Sequence, residues 1–242
     1  VKSNAYGHGL IPISKTLEKL NVDYLGVFNV KEGLRLRTSG IKSKILIFGT
    51  VKDYEFDKLV EYNLTPIIST YEELRILDKC ALRDSLKIHI KVDTGMGRLG
   101  FLPDEVEEII KNLYFHNKNV LIEGICTHFS DASSPDKSYT IKQANTFISL
   151  LDNLQKSEVK IPIIHASNSA AVLNFPEYQF NCVRPGLLLY GVSPFSEDYG
   201  LKEALSLYST VSTIRNVNEN SCISYNRTFS TKRASKIAVI PL

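Results

Sequence analysis

The sequence predicts an α/β fold: a (β/α)8 TIM-like barrel followed by the start of a C-terminal all-β domain. Three observations lead there. Short β-branched runs alternate with amphipathic stretches along most of the chain, the pattern of a parallel sheet with helical crossovers. Polar, glycine-rich clusters fall where those runs end, as functional groups do at the C-terminal ends of barrel strands. Beyond Leu205 the alternation stops, and strand-like runs follow one another through turn residues such as Asn218-Glu-Asn-Ser221.

In chain order, strands are expected at Tyr24–Asn29, Lys44–Phe48, Thr65–Ile68, Lys87–Val92, Leu121–Thr127, Ile163–Ala166 and Val183–Gly191. Val1-Lys2 would close an earlier one. Helices are expected at Pro12–Leu20, Lys31–Thr38, Tyr54–Tyr62, Tyr71–Lys79, Pro103–Leu113 and Tyr139–Lys156. In the last of these Ile141, Ala144, Phe147, Ile148 and Leu151 form one apolar stripe. Eight strand–helix units over about 200 residues suit a closed barrel better than an open doubly wound sheet. The barrel is assigned to residues 1–204 and the β-rich start to residues 205–242, with strands at Leu207–Val217, Cys222–Ser224 and Ile237–Ile240.

The 242 residues are 43% hydrophobic and 23% charged, an ordinary globular balance that can bury a core without disulfides or metals. A net charge of +3 without a Lys/Arg stripe points to neither nucleic acid nor a membrane surface. The apolar runs are too short to span a bilayer. Cys80, Cys126, Cys182 and Cys222 form no CxxC pair and no zinc spacing, so they read as free thiols of a reducing cytosol. A first residue of Val and a strand-like end at Ile240-Pro-Leu242 read as a fragment.

Five clusters carry the chemistry: Lys2-Ser-Asn-Ala-Tyr-Gly-His-Gly9, Lys91-Val-Asp-Thr-Gly-Met-Gly-Arg98-Leu-Gly100, Thr127-His-Phe129, His165-Ala-Ser-Asn-Ser169 and Val183-Arg-Pro-Gly186. Converging on one pocket, they offer a lysine amine, arginines, histidines, a tyrosine and amides beside glycines. An amine surrounded by anion-binding groups suits a phosphorylated carbonyl cofactor held as a Schiff base.

The first cluster resembles the alanine racemase signature around the lysine that carries pyridoxal 5'-phosphate. The others resemble further blocks of that family, in order, over residues 1 to 242. The first motif and Asp93-Thr-Gly-Met-Gly-Arg98-Leu-Gly are specific; the rest persuade in series. The resemblance implies that Lys2 holds the cofactor and serves as one of two bases, since racemisation needs a base on each face of the α-carbon. It implies cofactor contacts from Tyr6, His128, Asn168, Ser169, Arg184, Gly186 and Leu187. Of these, Tyr6, Ser169 and the amides of Gly186 and Leu187 would hold the phosphate. Ser169 reads equally well as a helix N-cap.

Arg184 matches an arginine that faces the pyridine nitrogen and, unable to give up a proton easily, keeps it unprotonated. That weakens the ring as an electron sink and suppresses side reactions. Arg98 would meet the substrate carboxylate, Lys91 matches a lysine that is carbamylated in some members of the family, and His165 would support the site from behind. His8 receives no chemical role, and His89 and His116 read as structural or surface residues. The resemblance further implies a cytoplasmic homodimer that supplies D-alanine for peptidoglycan. Its second base is a tyrosine directly after the Ile-Ala-Val-Ile-Pro-Leu strand, which Tyr225 does not replace. On that reading the chain as given binds cofactor weakly and racemises poorly or not at all. Rival readings are a serine or broad-specificity racemase, a barrel-type decarboxylase (disfavoured by Arg184) and a non-catalytic cofactor-binding barrel.

Overall fold

The computed structural model describes residues 1–79, 85–117 and 119–241; Cys80 and the side chain of His116 lie outside them. Two compact units form, Val1–Ala204 and Leu205–Leu242.

The first unit is built on six parallel strands: β1 Tyr24–Val27, β2 Lys44–Ile47, β3 Leu64–Ile68, β4 Leu86–Lys91, β5 Val120–Cys126 and β6 Ile163–His165. They lie side by side in chain order, every neighbouring pair parallel. An order that never reverses distinguishes a barrel sheet from a doubly wound one, and the sheet curls as the barrel wall. Helices make the crossovers: α3 Val30–Thr38, α4 Phe56–Glu61, α5 Tyr71–Lys79, α6 Pro103–His116 and α7 Ser138–Lys156. Before β1 stand a short turn, α1 Lys2–Tyr6, and α2 Leu10–Lys19; α8 Ser169–Asn174 follows β6.

Strands covered on both faces read as unbroken apolar runs. All five residues of β3 are accordingly buried, as are Ile45, Leu46 and Ile47 of β2. Asn29 caps α3 by accepting the Glu32 amide at 2.9 Å, and Asn168 caps α8 by accepting that of Ala171 at 3.1 Å.

Two expectations need correction. Residues 183–191 form no strand: Cys182 bridges His165 in parallel, and Leu187–Tyr190 then coil into a 3-10 turn. Pro185 has no N–H to donate, and the amides of Gly186 and Leu188 go to Ser169 Oγ instead of a neighbouring strand. The buried face of α7 is also rotated. It carries Thr140, Gln143, Ala144, Phe147, Leu150 and Leu154, while Ile141 is 37% exposed. Gln143 is drawn inward because its amide accepts from Ser130 N at 3.0 Å and donates to His128 O at 3.2 Å.

In the second unit β7 Thr213–Val217 pairs antiparallel with β10 Ser235–Val239, and β8 Cys222–Ile223 with β9 Phe229–Ser230. Cys126, Cys182 and Cys222 are free thiols. Among the described residues no helix is long and apolar enough to cross a membrane.

Glu73 of α5 is 1% exposed. Its carboxylate accepts from Val51 N and Ser69 N (2.9 Å each), Ser69 Oγ (3.1 Å) and Thr70 Oγ (3.0 Å), tying the loop after β2 to the loop after β3. Replacing Glu73 by Ala strands four donors at once. The expected loss is about 2–4 kcal/mol, on the order of one or two buried unsatisfied groups after partial relaxation. Urea unfolding checks it, and a loss below about 1 kcal/mol would show these donors to be satisfied in some other way.

Candidate active site

The chain enters the site through Val1, whose amino group lies 2.8 Å from Gly26 O of β1. Ser3, Asn4, Ala5 and Tyr6 then adopt left-handed backbone, with φ of 54 to 55°. Asn4 N donates to the Glu32 carboxylate (3.2 Å), and Asn4 Oδ1 accepts from Leu10 N (3.0 Å). His8 Nδ1 lies 3.0 Å from Ala5 O, and its ring stacks on Tyr190 at 4.3 Å. His8 thus closes this turn. The turn sets Lys2 beside Tyr6, with Nζ 5.7 Å from the ring centroid.

Tyr6 faces Gly186. Ser169 Oγ accepts from Gly186 N at 2.9 Å and from Leu188 N at 3.4 Å. A Cβ on Gly186 would stand 2.5 Å from the Tyr6 hydroxyl oxygen, so a larger residue there would push that hydroxyl away. Two hydroxyls and a glycine-flanked turn thereby meet, and Leu187 opens the 3-10 turn beside them. Burial raises the Tyr6 phenol above its ordinary pKa, keeping it a neutral donor. Ser169 is not the helix cap; Asn168 is. Both ends of the Asn168 side chain are engaged structurally, with Nδ2 donating to Phe129 O at 3.0 Å.

Arg184 occupies the centre. Nη1 lies 2.7 Å from His165 Nδ1. Nη2 donates to Thr127 O (2.8 Å) and Ala166 O (2.7 Å) and lies 3.1 Å from His128 Nδ1. All four acceptors are neutral. Burial pulls the guanidinium pKa down, but from so high a starting point that it stays protonated. Both imidazole nitrogens that face it must therefore accept. Burial, followed by the Arg184 charge, lowers His128 to about 3 and His165 well below its ordinary value. Both rings are neutral.

Lys91, the last residue of β4, has no ion pair among the described residues. Burial lowers its ammonium to about 8, with Cys126 raising it and Arg184 and Arg98 lowering it further. Arg98 is exposed, in the loop after β4. Asp93 Oδ1 organises that loop by accepting the amides of Gly95, Met96 and Gly97 at 2.8 to 3.1 Å. The charges of Lys2, Lys91, Arg98 and Arg184 all depress His128, so four cations share one region. No cluster of three or more His, Cys, Asp or Glu suited to a metal occurs among the described residues. An anion bearing a carbonyl carbon is what this arrangement can hold and react with.

Three participants were not anticipated from the sequence: the carbonyls of Thr127 and Ala166, and Tyr190, a buried phenol without a hydrogen-bond partner among the described residues. His89, expected to be structural or on the surface, is 1% exposed and 2.8 Å from His165.

Known proteins resemble this chain along its length. Residues 1–194 match the family model described as alanine racemase, N-terminal domain. The whole chain aligns with proteins named alanine racemase from Methanococcus maripaludis (45% identical, 66% of that protein covered) and Halothermothrix orenii (39% identical, 65% covered). The chain thus spans about two thirds of their length. Solved alanine racemases superpose on all of it. That from Clostridium difficile 630 has a TM-score of 0.87 at 35% identity over 64% of its chain, and that from E. faecalis 0.89 at 34% over 66%. On this family match, identity and superposition, the chain belongs to the alanine racemase family.

Proposed function

We propose that the whole protein interconverts L-alanine and D-alanine with pyridoxal 5'-phosphate, and that Val1–Ala204 is its cofactor-holding barrel. The observation that carries this reading is Arg184, a half-buried guanidinium clamped by neutral acceptors, whose charge and that of Lys2 both act on His128. When bound, the cofactor supplies an aldehyde that condenses with an amine and a ring that draws charge from the substrate's α-carbon.

The chain's own residues would divide the work. The Lys2 amine holds the aldehyde and moves a proton at one face of the α-carbon. Tyr6, Ser169 and the Gly186 and Leu187 amides receive the phosphate, neutral donors around a dianion. The cradle has donors for that group: the Tyr6 and Ser169 hydroxyls both border Gly186, whose amide donates to Ser169 Oγ at 2.9 Å and would turn to the phosphate when it binds. Arg184 donates toward the ring nitrogen and so keeps it from taking up a proton, favouring reprotonation of the α-carbon over transamination or decarboxylation. Arg98, exposed and without an ion pair among the described residues, would meet the substrate carboxylate. His128 and His165 hold Arg184. The second base and a partner subunit belong to the same proposal, as do the cytoplasmic setting and the supply of D-alanine for peptidoglycan.

Lys91 fits carbamylation. With its ammonium lowered to about 8, roughly a tenth of the amine is uncharged and nucleophilic near pH 7. A carbamate would bring negative charge beside Arg98 and Arg184. Labelled carbon dioxide should yield a carbamate carbonyl resonance that disappears in Lys91→Ala; persistence of the signal in that variant assigns it elsewhere.

Incubation with pyridoxal phosphate, borohydride reduction and peptide mapping should mark Lys2 alone. Label spread over many lysines, or centred on Lys91, would sink the assignment. Gly186→Ala should weaken cofactor binding by about tenfold or more, an overpacking cost of about 1.4 kcal/mol or above, with circular dichroism unchanged. Unaltered affinity would remove the cradle from the phosphate site.

A further inference from the structure

Behind Arg184 a second buried polar chain runs through the barrel. His165 Nε2 lies 2.8 Å from His89 Nδ1, the rings meeting edge-on at 5.0 Å. The other nitrogen of His89, Nε2, is buried without a hydrogen bond among the described residues and lies 3.9 Å from Glu123 Oε2. Glu123 in turn accepts from Tyr24 Oη (2.5 Å), Lys44 Nζ (3.1 Å) and Lys87 Nζ (3.2 Å).

Two backbone features bring Glu123 and His89 together. The β4–β5 register steps from Ile88↔Ile122 to His89↔Gly124, so Glu123 is the unpaired residue of a bulge, a device that re-aims a side chain. Beside it, a Cβ on Gly124 would lie 2.4 Å from His89 Nδ1. Glycine there leaves room for the ring.

The proton order along this chain has one solution. A guanidinium only donates, so His165 Nδ1 carries a lone pair and its hydrogen sits on Nε2. That hydrogen points at His89 Nδ1, which must accept, so the His89 hydrogen sits on Nε2 and faces the Glu123 carboxylate. Protonating either ring would set N–H against N–H. Burial lowers the pKa of both histidines, so both stay neutral. The cation at one end and the carboxylate at the other favour the same direction.

We propose that Glu123 and His89 are positioning residues: from the far end of the chain they stabilise the His165 tautomer that Arg184 requires and, through it, hold Arg184 in the orientation it presents to the site. The link to racemisation rests on the role given to Arg184 above; the proton order does not.

The test is two-bond ¹H–¹⁵N NMR of histidine side chains in the full-length protein. In the unaltered protein His165 and His89 should both be neutral with hydrogen on Nε2. Glu123→Leu should move His89 toward a mixture of tautomers and shift the His165 and Arg184 side-chain resonances. Glu123→Gln, which keeps an acceptor oxygen, should restore them. A hydrogen on Nδ1 of either ring in the unaltered protein overturns the proposal, whether or not the variants fold. So does a Glu123→Leu spectrum with unshifted His165 and Arg184. A protein that shows these tautomers but does not racemise alanine would end the proposed function and leave this inference standing.

Discussion

Arg184 is a charge drawn partly out of water, and the architecture around it follows from the need to satisfy it. An unpaired buried charge costs several kcal/mol, whereas each charge-assisted hydrogen bond returns roughly 1.5–3 kcal/mol. The guanidinium finds its acceptors at the ends of two neighbouring strands: Thr127 O and His128 after β5, His165 and Ala166 O at β6. Those acceptors converge only if β5 and β6 keep the register that pairs Cys126 with His165. Arg184 N, bonded to Ser167 O at 2.9 Å, anchors the incoming chain to the same strand end. Two residues later Gly186 meets Ser169 and Tyr6. One half-buried cation therefore couples sheet register to the placement of Ser169, Gly186 and Tyr6.

The opposite wall of the cradle is held at a cost. A left-handed backbone is worth roughly 1–2 kcal/mol of strain per non-glycine residue, and Ser3 to Tyr6 adopt it in succession. Glu32, the Asn4 side chain and the stacked pair His8–Tyr190 hold the turn. Strain persists where surrounding structure over-determines it, and such places cluster at functional sites. Here it turns Lys2 and Tyr6 toward one another instead of along a strand or an ordinary helix.

Much of the barrel was legible in the sequence. Apolar runs bounded by Gly, Pro and Asn located the six sheet strands to within about two residues at their ends. The glycine-rich clusters did fall at strand ends. What misled was local pattern standing in for partners. Val183–Gly191 looks like a strand because Leu187-Leu-Leu-Tyr190 is apolar, yet Pro185 and the pull of Ser169 on two amides make it a turn. Ile141 suits a helical stripe, but Gln143 displaces that face by finding Ser130 and His128. Glu123 left a usable trace, a single carboxylate within the apolar run Leu121–Cys126. A charge placed there calls for partners, and the sequence does not say which.

The sequence by itself determined the alternation of strand and helix, the chain order of the sheet and the location of the reactive clusters. These depend on periodicity and on backbone punctuation by glycine and proline, both local properties. Tertiary structure decided which polar atoms meet. His89 and His165 stand 76 residues apart in sequence and touch because β4, β5 and β6 are neighbours and a bulge re-aims Glu123 behind them. Hydrogen bonds are short-ranged and directional, so their partners are fixed by strand register and by where a side chain is absent, as at Gly124 and Gly186. Residue spacing along the chain carries neither.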